Sequence, residues 1–163
     1  MKDQATSIDN LIIPQKRDGT PYSVENLSSE QKQIVYGAVD TVVKFLNNDP
    51  SYKPIRGTIV GSGGTGKSFI INTIIGMIQT LTSSNDTIQI AAPSGAAAYN
   101  VQGSTIHNLL GVGVNAPKKP ISYTTKERLL NQLERLLVLI IDERSMMSSK
   151  VLAAAERNTR ECI

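Results

Sequence analysis

One stretch of eight residues constrains the fold of this 163-residue chain more than any other part of it. The stretch fits the pattern G-x-x-x-x-G-K-[ST] at every fixed position. Its residues are Gly61, Ser62, Gly63, Gly64, Thr65, Gly66, Lys67 and Ser68. A short apolar segment precedes it and an apolar helical run follows it, so its context is strand, loop and helix. The pattern predicts a phosphate-binding loop, which we call the phosphate loop (residues 61–68).

Each residue type in the phosphate loop suits the binding of ATP with Mg²⁺. Glycine lacks a Cβ atom, so backbone N–H groups can approach phosphate oxygens. The helix that begins at about Lys67 has roughly half a positive charge at its N-terminus, which favours an anion there. Lys67 can reach the β- and γ-phosphates, and the Ser68 hydroxyl can ligate Mg²⁺. A glycine-rich turn without a ligand is the alternative, and the complete motif with its flanks argues against it.

A second stretch supplies an acidic partner for the phosphate loop. The apolar run 136–141 predicts a strand that is buried on both faces of a parallel sheet, and it ends at Asp142 and Glu143. Carboxylates in that position face the crevice where open α/β sheets bind ligands. Asp142 can hold the Mg²⁺, and Glu143 can orient or deprotonate the attacking water. Alone, such a run also describes a strand that simply meets solvent; the phosphate loop upstream favours the functional interpretation.

Strand and helix patterns alternate along the chain and predict an α/β fold with right-handed βαβ units. Strands are expected at Gly57–Gly61, 87–92 and 136–141. Helices are expected at 29–46, 67–81, 96–101, 104–110 and 124–135, and after Ser148 or Ser149. Capping boxes, Ser28 with Gln31 and Thr124 with Glu127, mark two of the helix starts.

Composition fits one soluble domain behind a polar arm. Residues 1–24 are polar and are predicted to be a poorly ordered arm, and residues 25–163 form the domain. The net charge of +3 permits a nucleic-acid partner without requiring one. Cys162 is the single cysteine, which excludes an intrachain disulfide. No secretory signal is apparent, and no apolar run approaches about 20 residues, so we expect no membrane partner.

Three further stretches distinguish this chain among proteins with a phosphate loop. They are residues 27–31, residues 92–98 with 103–107, and residues 141–146. In this order they resemble the PIF/RecD-like ATP-dependent DNA helicases of superfamily one, over about residues 27–152. The resemblance implies part of a first RecA-like domain, in a protein that hydrolyses ATP while moving on single-stranded DNA and unwinding duplexes. It also implies roles in DNA repair, recombination and telomere maintenance, in the nucleus or the mitochondrion. We expect a monomer.

The resemblance also implies roles for single residues. Gln31 would contact the adenine base, Gly61–Ser68 would hold the phosphates, and Lys67, Asp142 and Glu143 would be catalytic. The positions expected along single-stranded DNA are Pro93, Ser94, Gly95, Thr105 and His107, whose N–H groups and hydroxyls can meet backbone phosphates without reading sequence. From the residues alone, Gln31 is equally a helix cap, and His107 is more often a core or cap histidine. Arg144 stands where the family often has an apolar residue; it could pair with Glu143 or face DNA or solvent.

Family helicases contain further parts that these 163 residues do not show. Those parts are a Gly-Asp…Gln motif, a second RecA-like domain and arginines that reach the γ-phosphate. We therefore expect a sheet that is incomplete at the C-terminus, with unpaired inner edges. An arginine finger is worth about 10³–10⁵ in rate, so we expect the chain alone to bind ATP with little or no unwinding. The alternatives are a small phosphotransferase, with residues 111–123 as its only candidate lid, and an inactive truncated nucleotide-binding module.

Overall fold

The computed structural model describes residues 24–113 and 121–162. The chain divides into two compact units, Met1–Asn85 and Asp86–Ile163, which we call the phosphate-loop unit and the sheet unit. The arm predicted for residues 1–24 lies outside the described residues, except for Val24, which begins the 3-10 turn Val24–Asn26. Residues 114–120, most of the candidate lid of the phosphotransferase alternative, also lie outside them.

Two helices that pack on each other form the phosphate-loop unit. Helix α1 spans Ser29–Leu46 and helix α2 spans Lys67–Thr82, both within a residue of the prediction. The capping box is confirmed: the Ser28 N–H donates to Gln31 Oε1 at 2.9 Å, and the Gln31 N–H donates to Ser28 Oγ at 3.2 Å. The apolar residues of α1 are only partly buried. The buried residues of α1 are Val35, Val39 and Val42.

The strand predicted at Gly57–Gly61 is wrong. No residue from 55 to 62 belongs to a strand, and Val60 is 89% exposed. A strand is stabilised by the ladder of hydrogen bonds to its neighbour. In the described part of the chain, no segment pairs with residues 57–61. The apolar sequence before the phosphate loop therefore forms an irregular segment.

Three parallel strands form the sheet of the second unit. They are β1 (Ile88–Ala92), β2 (Ser104–Thr105) and β3 (Val138–Ile141), in the order β2-β1-β3. Ile88 pairs with Val138 and Ala91 with Ile141, while Ala92 pairs with Thr105. The sheet with its helices confirms the α/β prediction. Two details differ: β3 is half-buried and not fully buried, because it is an edge strand of the described sheet, and β2 begins where a helix was expected.

Four helices belong to the sheet unit, and each begins at a Ser or Thr cap. They are α3 (Gly95–Asn100), α4 (Ile106–Leu109), α5 (Tyr123–Leu133) and α6 (Ser149–Arg160). The capping box predicted at Thr124 is wrong, because the hydroxyl of Ser122 accepts the Thr125 N–H at 3.2 Å and starts α5 earlier. Ser148, one of the two predicted candidates, caps α6.

Helices α4 and α6 share one hydrophobic core with the sheet. Its buried members are Ala91, Ile106, Leu109, Leu110, Val112, Ala154 and Ala155. Ile141 at the end of β3 packs against this core. The segments that follow β1, β2 and β3 are therefore supported by a common apolar cluster. None of the helices in the described ranges combines the length and hydropathy of a membrane span.

Candidate nucleotide-binding site

The phosphate loop has a backbone that requires glycine at two positions. Gly64 and Gly66 have φ values of 78° and 80°, in the left-handed region that side chains disfavour. At a third glycine, Gly61, an added Cβ would lie 2.6 Å from Thr65 Oγ1 and would displace that hydroxyl. That hydroxyl donates to the Ser62 carbonyl at 2.9 Å, which closes the turn on itself. The loop thus has a defined turn conformation with an internal hydrogen bond.

The Lys67 ammonium is held by the loop itself. Its Nζ donates to the carbonyl oxygens of Gly61 at 2.8 Å and of Ser62 at 2.7 Å. The cation therefore lies against the start of the loop. Its contact with phosphate oxygens stays a prediction. The Ser68 hydroxyl, one residue later, is in the exposed first turn of α2.

Helix α2 differs from its neighbours at its N-terminus. Its N-cap is Gly66, and no side chain caps it. The other five α-helices in the described ranges have a hydroxyl that accepts a first-turn N–H, from Ser28, Ser94, Thr105, Ser122 and Ser148. The first-turn N–H groups of α2 and its dipole are therefore not complemented by a capping side chain, as an anion site requires.

The structure brings Gln31 and the phosphate loop together. Gln31 Nε2 donates to the Thr65 carbonyl at 3.1 Å, across 34 residues of sequence. Sequence reasoning missed this contact. The only available signal was that the capping box uses the amide oxygen of Gln31 and leaves its amide nitrogen for another partner. The contact with adenine stays a prediction.

The acidic pair follows β3 in the sheet unit. The Asp142 N–H donates to the Ala91 carbonyl at 2.9 Å, which continues the ladder with β1, and the residue is half-buried. Glu143 is exposed and has φ 51° and ψ 39°, a left-handed conformation that costs a non-glycine residue about 1–2 kcal/mol. Arg144 begins an exposed 3-10 turn and forms no ion pair with Glu143 in the described structure. The convergence of Asp142 with Ser68 on one metal ion stays a prediction.

The residues predicted along DNA fall into two adjacent segments. Pro93, Ser94 and Gly95 follow β1, and the segment Thr105 to His107 begins at the β2 residue that pairs with Ala92. Because β1 and β2 are parallel, their carboxyl ends meet at the same edge, so the two segments are neighbours. Ser94 Oγ accepts the Ala97 N–H and Thr105 Oγ1 accepts the Asn108 N–H, both at 3.2 Å. Each hydroxyl still has its own hydrogen to donate. His107 is half-buried on α4.

Comparison with known proteins places this set of segments in a family. Residues 26–163 match the family model of PIF1-like helicases. The chain belongs to the PIF1-like helicase family. This confirms the resemblance found in the sequence and extends it to nearly the whole described chain.

Relatives within the PIF1-like helicase family are much longer than this chain. The ATP-dependent DNA helicase RRM3 of Saccharomyces cerevisiae is 38% identical over 105 residues, which is 61% of this chain and 14% of that protein. The ATP-dependent DNA helicase PIF1 of Emericella nidulans is 33% identical over 106 residues, again 61% and 14%. PIF1 of Danio rerio is 33% identical over 92 residues, 55% and 14%. The chain spans about a seventh of the length of these relatives.

Two further residues support the candidate DNA segment of this PIF1-like chain, and sequence reasoning missed both. Asn158 on α6, which is 2% exposed, donates through Nδ2 to the carbonyls of Leu110 at 2.9 Å and Gly111 at 3.1 Å. Arg128 on α5 donates to the Asn108 carbonyl at 3.0 Å. Both side chains hold the end of α4, the helix of His107. No sequence motif indicates these two contacts, because each joins residues at least 20 positions apart.

Proposed function

We propose that this chain is the ATP-binding part of a first RecA-like domain in an ATP-dependent DNA helicase. The observation that carries the proposal is the phosphate loop: a turn built on Gly64 and Gly66, a lysine ammonium against its start, and a helix with no capping side chain. Membership in the PIF1-like family supports the assignment of ATP as ligand and DNA as track. We propose nucleotide binding for the 163-residue chain itself. Unwinding is proposed only together with the parts that the longer relatives have.

The phosphate loop fits a triphosphate. A Cβ added at Gly63 or Gly64 would have no atom within 4 Å, so this side of the loop is open to a ligand. Ser68 and Asp142 would supply the two oxygens that Mg²⁺ takes from protein, and Mg²⁺ typically completes its shell with water and substrate phosphates. In the described ranges, no three His, Cys, Asp or Glu side chains form a metal-binding group of their own. When bound, the ion neutralises charge on the phosphates.

The side chains of the site divide the work in the proposed reaction. Lys67 would exchange two neutral carbonyl partners for phosphate oxygens, which are stronger acceptors for an ammonium. The first-turn N–H groups of α2 would hold a phosphate in place. Glu143 would orient the attacking water and accept its proton. Its left-handed backbone conformation sets the direction in which the side chain leaves the main chain.

Nucleotide binding is tested by titrating the chain with a fluorescent ATP analogue and Mg²⁺. Lys67→Ala should weaken binding about 10- to 100-fold, because a hydrogen bond to a charged group is lost. Lys44→Ala is the control, since it removes an exposed lysine of the same unit that pairs with Asp40 at 2.7 Å. It should leave binding within about twofold. A chain that binds no nucleotide, or that binds equally well without Lys67, would refute the proposal.

Contact with single-stranded DNA is the second part of the proposal, and adjacency of Pro93–Gly95 and Thr105–His107 supports it. Binding should weaken with salt, with a logarithmic slope of about −0.7 for each phosphate contacted. Ser94→Ala and His107→Ala should each reduce DNA affinity and leave ATP affinity unchanged. Ser148→Ala is the matched control, because it also removes an N-cap hydroxyl from the sheet unit. If Ser148→Ala reduces DNA affinity as much as Ser94→Ala, the loss reflects helix capping and not DNA contact.

Three expectations from the family resemblance belong to this proposal. They are a monomeric protein, a nuclear or mitochondrial location, and roles in DNA repair, recombination and telomere maintenance. Sedimentation of the chain with and without oligonucleotide tests the first directly: one protomer per oligonucleotide at every protein concentration is the expected result.

A further inference from the structure

The Gln31 side chain makes two hydrogen bonds that point to different parts of the phosphate-loop unit. Its Oε1 accepts the Ser28 N–H at 2.9 Å, which completes the cap of α1. Its Nε2 donates to the Thr65 carbonyl at 3.1 Å, inside the phosphate loop. The cap therefore fixes the amide plane of Gln31, and the fixed amide holds the loop. A contact of this kind makes Gln31 part of the loop's support, separately from any contact with a base.

The backbone group that Gln31 holds is the peptide that joins Thr65 to Gly66. The Thr65 carbonyl and the Gly66 N–H belong to one planar trans peptide, so they point in opposite directions. A hydrogen bond that fixes the carbonyl toward Gln31 also fixes the Gly66 N–H away from it. Phosphate loops bind through such N–H groups. The direction of one candidate phosphate ligand is thus set by the amide of Gln31.

The close approach of Gln31 also constrains the residue at position 66. A Cβ on Gly66 would lie 2.9 Å from Gln31 Nε2, and the φ value of 80° disfavours any side chain there. The backbone turn therefore requires glycine here, and a side chain at this position would in addition displace the Gln31 amide. The amide still has a second N–H and a second lone pair on its oxygen, enough to meet the edge of a base at the same time.

We propose that Gln31 is a positioning residue for the phosphate loop, which orients the Thr65–Gly66 peptide whether or not a base is bound. The proposal rests on the proposed nucleotide binding and deepens it. It assigns to Gln31 a share of the affinity for the triphosphate itself, in addition to the base contact that the family resemblance implies. A ligand with phosphates and no base separates the two roles.

The test compares ATP with inorganic tripolyphosphate, each with Mg²⁺, by calorimetric titration of the full 163-residue chain. Gln31→Met removes the amide, keeps a side chain of similar length and adds no charge. We expect it to weaken the binding of tripolyphosphate about five- to tenfold, as loss of one hydrogen bond does. The affinity for ATP should fall by at least the same factor. Ser28→Ala is the matched control: it removes the other half of the capping box and keeps the bond from Gln31 to Thr65.

Each outcome of the titration decides the proposal. If Gln31→Met weakens the binding of ATP and leaves the binding of tripolyphosphate unchanged, Gln31 acts on the base alone and the proposal is wrong. If Ser28→Ala weakens tripolyphosphate as much as Gln31→Met does, the effect comes from the helix cap and the proposal is also wrong. An unmodified chain that binds neither ligand overturns the proposed function, and this inference with it.

A measurement without ligand gives a second, independent result. Backbone ¹⁵N relaxation reports the order of single N–H groups on the picosecond to nanosecond timescale. In Gln31→Met the order parameters of Thr65 and Gly66 should fall from rigid values, near 0.85, toward values below about 0.6. In Ser28→Ala they should stay high. Unchanged order at Gly66 in Gln31→Met would overturn the proposal even if the affinities changed.

Discussion

A short glycine-flanked segment of the phosphate-loop unit and an unbroken apolar run of the sheet unit differ in backbone structure. Residues 57–61 in the phosphate-loop unit and residues 136–141 in the sheet unit both precede the predicted site residues, and both were predicted to be strands. The second forms β3, paired in parallel with β1 from Val138 to Ile141. The first forms no strand, and Val60 is 89% exposed. The difference is a partner: an apolar run becomes a strand only where another backbone accepts its hydrogen bonds.

The largest expected effect is at Gly103 in the sheet unit, just before β2. A Cβ on Gly103 would overlap the carbonyl oxygen of Ile90 and lie 3.0 Å from its carbonyl carbon, and backbone atoms of β1 cannot rotate away. Gly103→Ala should therefore lower the free energy of unfolding by about 4 kcal/mol. Urea unfolding followed by circular dichroism measures it.

The control for Gly103→Ala is a glycine in the phosphate-loop unit. A Cβ on Gly37, inside α1, would meet nothing within 4 Å. Gly37→Ala should raise the free energy of unfolding by about 0.5–1 kcal/mol through helix propensity. Equal costs at the two positions would contradict the close approach of β2 to β1.

The second test compares the two apolar segments through buried and exposed side chains. Ile90 in β1 is 8% exposed, so Ile90→Ala should cost about 3 kcal/mol of stability. Val60→Ala should change stability by less than about 0.5 kcal/mol, because its side chain contributes little burial. Urea midpoints of the two variants give the comparison. A cost at Val60 as large as at Ile90 would show that residues 57–61 pair with a neighbour after all.

Asn158 provides a test of how the sheet unit holds the end of α4. Asn158→Ala removes two hydrogen bonds and leaves the carbonyls of Leu110 and Gly111 without that donor, which should cost about 2 kcal/mol. Glu156→Ala, on the exposed side of the same helix, removes only an ion pair with Arg160 and should cost less than about 0.5 kcal/mol. Thermal unfolding of both variants measures the two costs, and equal costs would contradict a larger contribution from the buried hydrogen bonds of Asn158.

The smallest expected effect is local to the loop after α1 in the phosphate-loop unit. Hydrogen bonds from the Ser51 side chain and then its N–H hold the pKa of Asp49 below its ordinary value, and the charge of Lys44 adds to this. A lowered pKa in the folded state adds stability above the unfolded pKa, and that stability is lost as pH falls through the folded pKa. Ser51→Ala should raise the pKa of Asp49 toward its ordinary value. Carboxyl-carbon NMR titration measures the shift, and an unchanged pKa would contradict the assigned cause.

The sequence predicted helices well and strands less well, for a physical reason. The ends of α1 and α2 follow from a capping box and from the glycines of the phosphate loop, which are local in sequence. The start of α5 was misplaced because two hydroxyl residues competed for the cap, and Ser122 rather than Thr124 takes it. Pairing of β2 with β1 depends on a contact between residues more than ten positions apart, which no local pattern contains.

The candidate site divides in the same way. Residue types in the motifs predict which side chains belong to the candidate site, among them Lys67 and Asp142, and that assignment stays a prediction. The left-handed backbone of Glu143 and the bond from Gln31 to Thr65 were not predictable, because both depend on how segments meet in space. Asn158 and Arg128 carry no motif at all, and only their distances to the end of α4 reveal them.

The internal bonds of the Lys67 ammonium have a consequence for what the loop can admit. Lysine side chains have about 2 kcal/mol of rotamer entropy, and here much of that freedom is lost before any ligand arrives. An incoming anion can accept the third N–H of this held ammonium or replace the two carbonyl oxygens. A group with concentrated negative charge gains most from such a cation, so the held ammonium favours phosphates over neutral or weakly charged metabolites.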